Sequence, residues 1–185
     1  MERFINICPL LWTKGQKMGQ MDNNMDKILE LFFEQPNKKF TIRSIAKITS
    51  IPKSTVHNYL AKLKSEKLVT KDNQGSNTKL FKVKKINYFL EKMHTTGLID
   101  YLGNVFTPSC IILFGSFRKG DSVRDSDIDI FLETTKKIEP DLSKFEEKLK
   151  HKIQIFKETN IKKLQPRLFN NVVNGIKLEG FFKVK

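Results

Sequence analysis

Two cysteines, Cys8 and Cys110, are all that the 185 residues contain. A pair so widely separated builds neither a disulfide framework nor a zinc site, and His57, His94 and His151 stand at no ligand spacing with them. No structural metal is expected, and the compartment expected is a reducing cytosol. Long apolar runs are missing as well. Ile7–Trp12 is too short for the core of a secretory leader and lacks a small-residue cleavage site, and no stretch of 18 apolar residues occurs. This predicts a soluble, cytoplasmic chain with no membrane partner. Proline and glycine are scarce, 6 and 9 residues, against 15 phenylalanines and a hydrophobic fraction of 39%. Such a composition excludes a disordered or fibrous chain and leaves room for two small folded domains. Acidic residues are the remaining shortage: 20 Asp and Glu against 34 Lys and Arg give a formal net charge of +14.

A field of that size attracts polyanions before any specific contact forms. It is also concentrated, since Lys38–Lys85 holds 13 basic and two acidic residues. A merely lysine-rich solvated surface would look the same by composition, so the pattern underneath decides. Asp22 can cap a first helix whose Met25, Ile28, Leu29, Leu31, Phe32 and Phe33 form an apolar face before Pro36. Ile42, Ile45 and Ala46 mark a short second helix, Thr49–Pro52 a tight turn, and Val56, Leu60 and Leu63 one face of a third helix that opens at Pro52. Two short helices joined in this way form a helix-turn-helix, with the polar face of the second free to enter a major groove. Residues 68–71 and 79–84 read as two strands around a polar loop centred on Gly75, which would form a wing.

The segment from Ile42 to Val69 resembles winged-helix transcription regulators. That resemblance implies double-stranded DNA as partner, with Lys53, Ser54, Thr55, His57 and Asn58 reading bases and Lys62, Lys64, Lys71, Lys79 and Lys82 meeting phosphates. Ile86–Leu102 carries a helical apolar pattern with Gly97 as a break; it reads either as a connecting helix or as the dimer helix of a homodimer.

The most specific signal is IILFGSFRKGDSVRDSDIDIFLE, from Ile111 to Glu133. A β-branched run ends in Gly115 and Ser116, where backbone can approach a phosphate at the start of a short helix. A second strand follows in which Asp127 and Asp129 alternate with Ile128 and Ile130, placing both carboxylates on one face. Paired hard oxygen donors suit a magnesium ion that carries nucleotide phosphates. The segment resembles the minimal nucleotidyltransferases of the DNA polymerase beta superfamily, matching the motif at Gly115, Ser116, Asp127 and Asp129 and common intervening positions at Arg118, Gly120 and Ser126. The resemblance implies a nucleoside triphosphate held by Gly115, Ser116 and Arg118, with Mg2+ on the catalytic pair Asp127 and Asp129. It also implies transfer of a nucleoside monophosphate to an acceptor hydroxyl, and a third carboxylate on a later strand. After a helix at 142–149 the expected strand, residues 152–157, offers Gln154 there, with Glu158 and Glu179 as acids out of step. An amide oxygen is a poor magnesium ligand and no base. A helix over 164–174, with Asn170, Asn171 and Asn174 at a solvated end, and a last strand over 176–184 complete the chain.

The expected fold class is α/β (α+β), a winged helix followed by a nucleotidyltransferase fold with a small mixed sheet. Residues 1–20 form a tail without assigned function, 21–85 the DNA-binding domain, 86–102 the connecting helix and 103–185 the nucleotidyltransferase-like domain. The function expected is transcription regulation, with Mg-nucleotide binding and weak or absent transfer. An active nucleotidyltransferase acting on a nucleic-acid or protein hydroxyl is the alternative, and an antitoxin-like protein that modifies a partner is a third reading from the resemblance alone.

Overall fold

Apolar residues at helical spacing shape the N-terminal part of the computed structural model, which describes residues 23–182. The expected tail and the Asp22 cap lie outside these residues. In α1 (Asn23–Glu34), Ile28, Leu29, Phe32 and Phe33 are buried. A capping box opens α2 (Ile42–Thr49): the Thr41 hydroxyl accepts from the Ser44 N–H and the Ser44 hydroxyl from the Thr41 N–H, both at 3.0 Å. Ser50, at φ 57°, then turns the chain into α3 (Lys53–Ser65), which buries Val56, Leu60 and Leu63. This is the helix-turn-helix that the spacing predicts.

The wing is not built as predicted. Val69 and Gly75 make a single antiparallel bridge, and the loop between them folds back onto the α1–α2 connection. The Gly75 N–H donates to Pro36 O at 2.9 Å and the Phe40 N–H to Asn73 O at 3.0 Å. Gly75 is therefore a packing glycine and not a loop tip: an added Cβ would lie 2.9 Å from the Phe81 ring. Residues 79–84, expected as a strand, open the 17-residue helix α4 (Lys79–Thr95). Its start is fixed by Thr78, whose hydroxyl accepts from the Phe81 N–H at 3.2 Å. Buried Phe81, Lys85, Phe89 and Met93 recur every four residues while Val83 and Asn87 between them are exposed, a pattern that a strand, with every second residue on one face, cannot satisfy. The boundary expected between residues 85 and 86 falls inside α4, and the connector 86–102 is two helices parted at Gly97, the second being α5 (Leu98–Phe106).

The C-terminal part is a mixed four-stranded sheet in the order β3-β2-β1-β4. β1 (Cys110–Phe114) runs antiparallel to both β2 (Ile128–Glu133) and β4 (Ile176–Gly180), and β2 runs parallel to β3 (Ile153–Glu158). The short α6 (Gly115–Lys119) follows β1, α7 (Ser143–Leu149) precedes β3, and α8 (Pro166–Val173) precedes β4. One face of the sheet carries Ile111, Leu113, Ile128, Ile130 and Leu132 into a core that continues through Phe117, Phe89 and Met93 to the helices of the N-terminal part. The other face, with Cys110, Ile112, Phe114 and Phe131, is covered by Val172 of α8. Cys110 is a buried thiol, pushed up to about 12 by burial and by the nearby Glu133 charge, and is chemically quiet. Among the described residues no helix is long and apolar enough to cross a membrane.

Candidate functional site

β1 delivers five buried residues and then stops at Gly115, whose φ is 70°. A Cβ there would fall 1.9 Å from Asp129 Oδ2, so the Asp129 carboxylate lies directly over the Gly115 backbone and only glycine fits. The β1–β2 register, in which Phe114 faces Asp129, creates this juxtaposition. Asp127 sits one residue before β2 and on the same face as Asp129, while Ile128 and Ile130 point the other way and are fully buried. Burial, and then the charge of Asp127, raise the Asp129 carboxyl above its usual range. Two carboxylates crowded in this way are relieved by a cation. Among the described residues no three His, Cys, Asp or Glu side chains gather to hold a metal, so the remaining ligands of such a cation would have to come with it. Ser116 and Arg118 stand in α6 on either side of the buried anchor Phe117, and both are half-buried.

The parallel β2–β3 register sets Gln154 beside Asp129, and the Gln154 side chain is exposed. Glu158 pairs with Glu133, two same-face steps farther along β3, and its carboxylate accepts from the Thr159 N–H at 2.6 Å. Glu179 pairs with Ile111 on the opposite side of β1. Neither acid adjoins Asp129.

On α3, Lys53, Ser54, His57, Asn58 and Lys62 are exposed and Thr55 is half-buried, so the outer face is the polar one. Lys71 stands exposed on the folded-back loop, and Lys79 is exposed at the start of α4 instead of on a wing strand. Lys64 reaches across to the Lys71 carbonyl at 3.2 Å. Lys82 is paired at the surface, where its ammonium bonds Asp121 Oδ1 at 2.6 Å.

Residues 97–178 match the polymerase beta nucleotidyltransferase family, and residues 27–73 match the IclR helix-turn-helix domain. The chain joins an IclR-type helix-turn-helix domain to a polymerase beta-like nucleotidyltransferase domain. No curated protein and no solved structure gave a match.

The contacts between the helix-turn-helix domain and the nucleotidyltransferase domain involve residues that the sequence did not single out. Lys85, only 2% exposed, donates to the Ser122 carbonyl. Burial pushes its ammonium down to about 8, against the opposing pull of Glu34 and Asp121. Glu34, the last residue of α1, accepts from the Arg124 N–H at 2.9 Å through its carbonyl, and its carboxylate meets His151 Nε2 at 2.9 Å. Glu30, one turn earlier, bonds Tyr88 and Lys92 at 2.8 Å each and lies 3.7 Å from Lys150. Glu34 and His151 stand 117 positions apart, and no local spacing announces such a pair. Lys85 could have been found, because it occupies the core slot between Phe81 and Phe89 at helical spacing. A cleft of about 720 Å³ opens between the two domains, with Lys27, Lys38, Arg124 and Asp125 on its walls; Asp127 and Asp129 do not line it.

Proposed function

We propose that the protein is a DNA-binding regulator whose nucleotidyltransferase domain takes up a magnesium nucleoside triphosphate and turns it over weakly or not at all. The observation that carries this reading is the pairing of Asp129 with Gln154 on the adjacent strand. The residues present fit one magnesium ion. Asp127 and Asp129 would supply two oxygen ligands, and a triphosphate and water would bring the rest. Glycine at position 115 leaves room for the Asp129 carboxylate against the backbone, the Ser116 hydroxyl and the Arg118 guanidinium are donors suited to a phosphate, and the raised Asp129 carboxyl gains from a nearby positive charge. When bound, the ion neutralises phosphate charge and polarises the bond to be broken.

A second, acceptor-side ion does not fit equally well. An acceptor hydroxyl must lose its proton as it attacks the α-phosphorus and pyrophosphate leaves, and Gln154 is neither an anionic ligand nor a base. Binding therefore outlasts catalysis in this arrangement. In the helix-turn-helix domain, Lys53, Ser54, Thr55, His57 and Asn58 read base edges from α3, and Lys62, Lys71 and Lys79 meet phosphates. A cytosolic regulator that reports nucleotide status to DNA is the role these parts serve together. The test is calorimetric titration of the intact protein with magnesium and each of ATP, GTP, CTP and UTP. Wild type binds at least one, and Asp127→Asn with Asp129→Asn loses it. A double variant that binds as tightly as wild type overturns the site.

A further inference from the structure

We propose that Glu34, on the DNA-binding half, and His151 are positioning residues for Asp127, so that the nucleotide affinity of one domain is set through α1 of the other. This rests on the nucleotide-binding reading above.

The backbone around Asp127 is held from both sides by two consecutive residues. On the N-terminal side, the carbonyl of Ser126 faces His151 Nδ1 at 2.9 Å; on the C-terminal side, the Ile128 N–H donates to the Lys152 carbonyl at 2.8 Å. A carbonyl only accepts, so Nδ1 carries the proton in the Ser126 contact. The preceding turn is closed by Ser126 itself, whose N–H donates to Val123 O at 2.8 Å and whose hydroxyl accepts from the Val123 N–H at 2.9 Å. Asp127 thus cannot shift without moving the 151–152 segment.

What holds His151 comes from elsewhere. Its side chain is 1% exposed and stands edge-on to Phe89 of α4 and Phe117 of α6, at centroid distances of 5.5 and 4.9 Å. With the ring plane fixed, its other polar contact among the described residues is Nε2 to the Glu34 carboxylate. Glu34 contributes its backbone as well, accepting from the Arg124 N–H in the loop that leads to Asp127. A carboxylate that orients an imidazole, which in turn orients a ligand-bearing segment, is the arrangement that tunes metal sites from their second layer. Here the orienting carboxylate belongs to the helix that packs on α2 and α3. By linkage, whatever alters the hold of α1 on His151 alters nucleotide affinity, and nucleotide tightens that hold by the same factor.

The experiment uses the full-length protein and the same four magnesium nucleotides, with thermal melting recorded for each variant. Glu34→Ala is expected to weaken nucleotide affinity by roughly tenfold or more, the usual effect of losing such an outer contact. Glu34→Gln is expected to restore most of it, since the amide can donate to Nε2 while Nδ1 still serves Ser126. Glu30→Ala loosens the same helix on the same side without touching the Ser126–Asp127 segment, and is expected to lower the melting temperature but not the affinity. Should Glu34→Ala fail to fold, Glu34→Asp, which withdraws the carboxylate by one methylene, carries the same prediction. Equal losses in the Glu30 and Glu34 variants, or a Glu34→Ala protein that binds like wild type, would overturn the proposal while leaving the nucleotide site standing. A wild type that binds none of the four nucleotides would remove both.

Discussion

Lys85 is a charged residue in an environment that its chemistry does not prefer. Its ammonium is surrounded by core and donates to one carbonyl, and burial holds its folded value near 8 instead of 10.5. Between those values the unfolded chain keeps a proton that the native protein has released, so stability rises with pH from about 8 to 10.5 and is constant in this respect below 8. The full effect is on the order of 3 kcal/mol. Chemical denaturation of wild type and Lys85→Met at several pH values in that window should show wild type gaining on the variant as pH rises; parallel curves would contradict the assignment. Gly115 is constrained in the opposite sense, by space. Gly115→Ala forces a Cβ into Asp129 at a positive φ, and should cost about 1 kcal/mol or more of stability together with measurable nucleotide binding, read by melting and by titration.

Among the elements, α3 and α4 divide the basic charge differently from what the sequence suggests. The helix-turn-helix was legible because the Ile45, Val56, Leu60 and Leu63 spacing and the Ser50–Pro52 turn are local. The Gly115–Asp129 site was legible for the same reason, since a strand, a glycine turn and alternating aspartates lie within one short segment. Position 154 could be placed because β3 has its own apolar alternation. The wing failed because Phe81 and Val83 mimic strand alternation, while the helical period becomes visible only when a buried lysine is accepted as a core residue. The contacts made by Glu34 and His151 depend on tertiary packing that no period encodes. One consequence is testable on DNA. Thr55→Ala with Asn58→Ala should mainly erode sequence preference, whereas Lys71→Ala with Lys79→Ala should weaken binding to every duplex and flatten its salt dependence. Lys82→Ala should leave the salt slope unchanged, since its charge is already paired with Asp121. Fluorescence anisotropy across a salt series distinguishes these outcomes.

At the scale of the whole molecule, the two domains share one core. Phe89 of the long α4 meets Phe117 of the nucleotidyltransferase domain at 4.9 Å, and the same cluster runs from Ile28 to Ile153. Intact protein should therefore unfold in one cooperative transition. Phe89→Ala, at a cost of roughly 3–5 kcal/mol, should accelerate hydrogen exchange in both α3 and β1; acceleration confined to one domain would argue against a common core. A shared core also suits a protein that reports on a nucleotide more than one that must release products rapidly. The most direct test of this account is pyrophosphate release by the intact protein with magnesium, each nucleoside triphosphate and duplex DNA, because nucleotidyl transfer to any acceptor must liberate pyrophosphate. Release at or near background is expected for wild type, with a clear increase for Gln154→Asp. Brisk magnesium-dependent release by wild type, lost in Asp127→Asn, would contradict it.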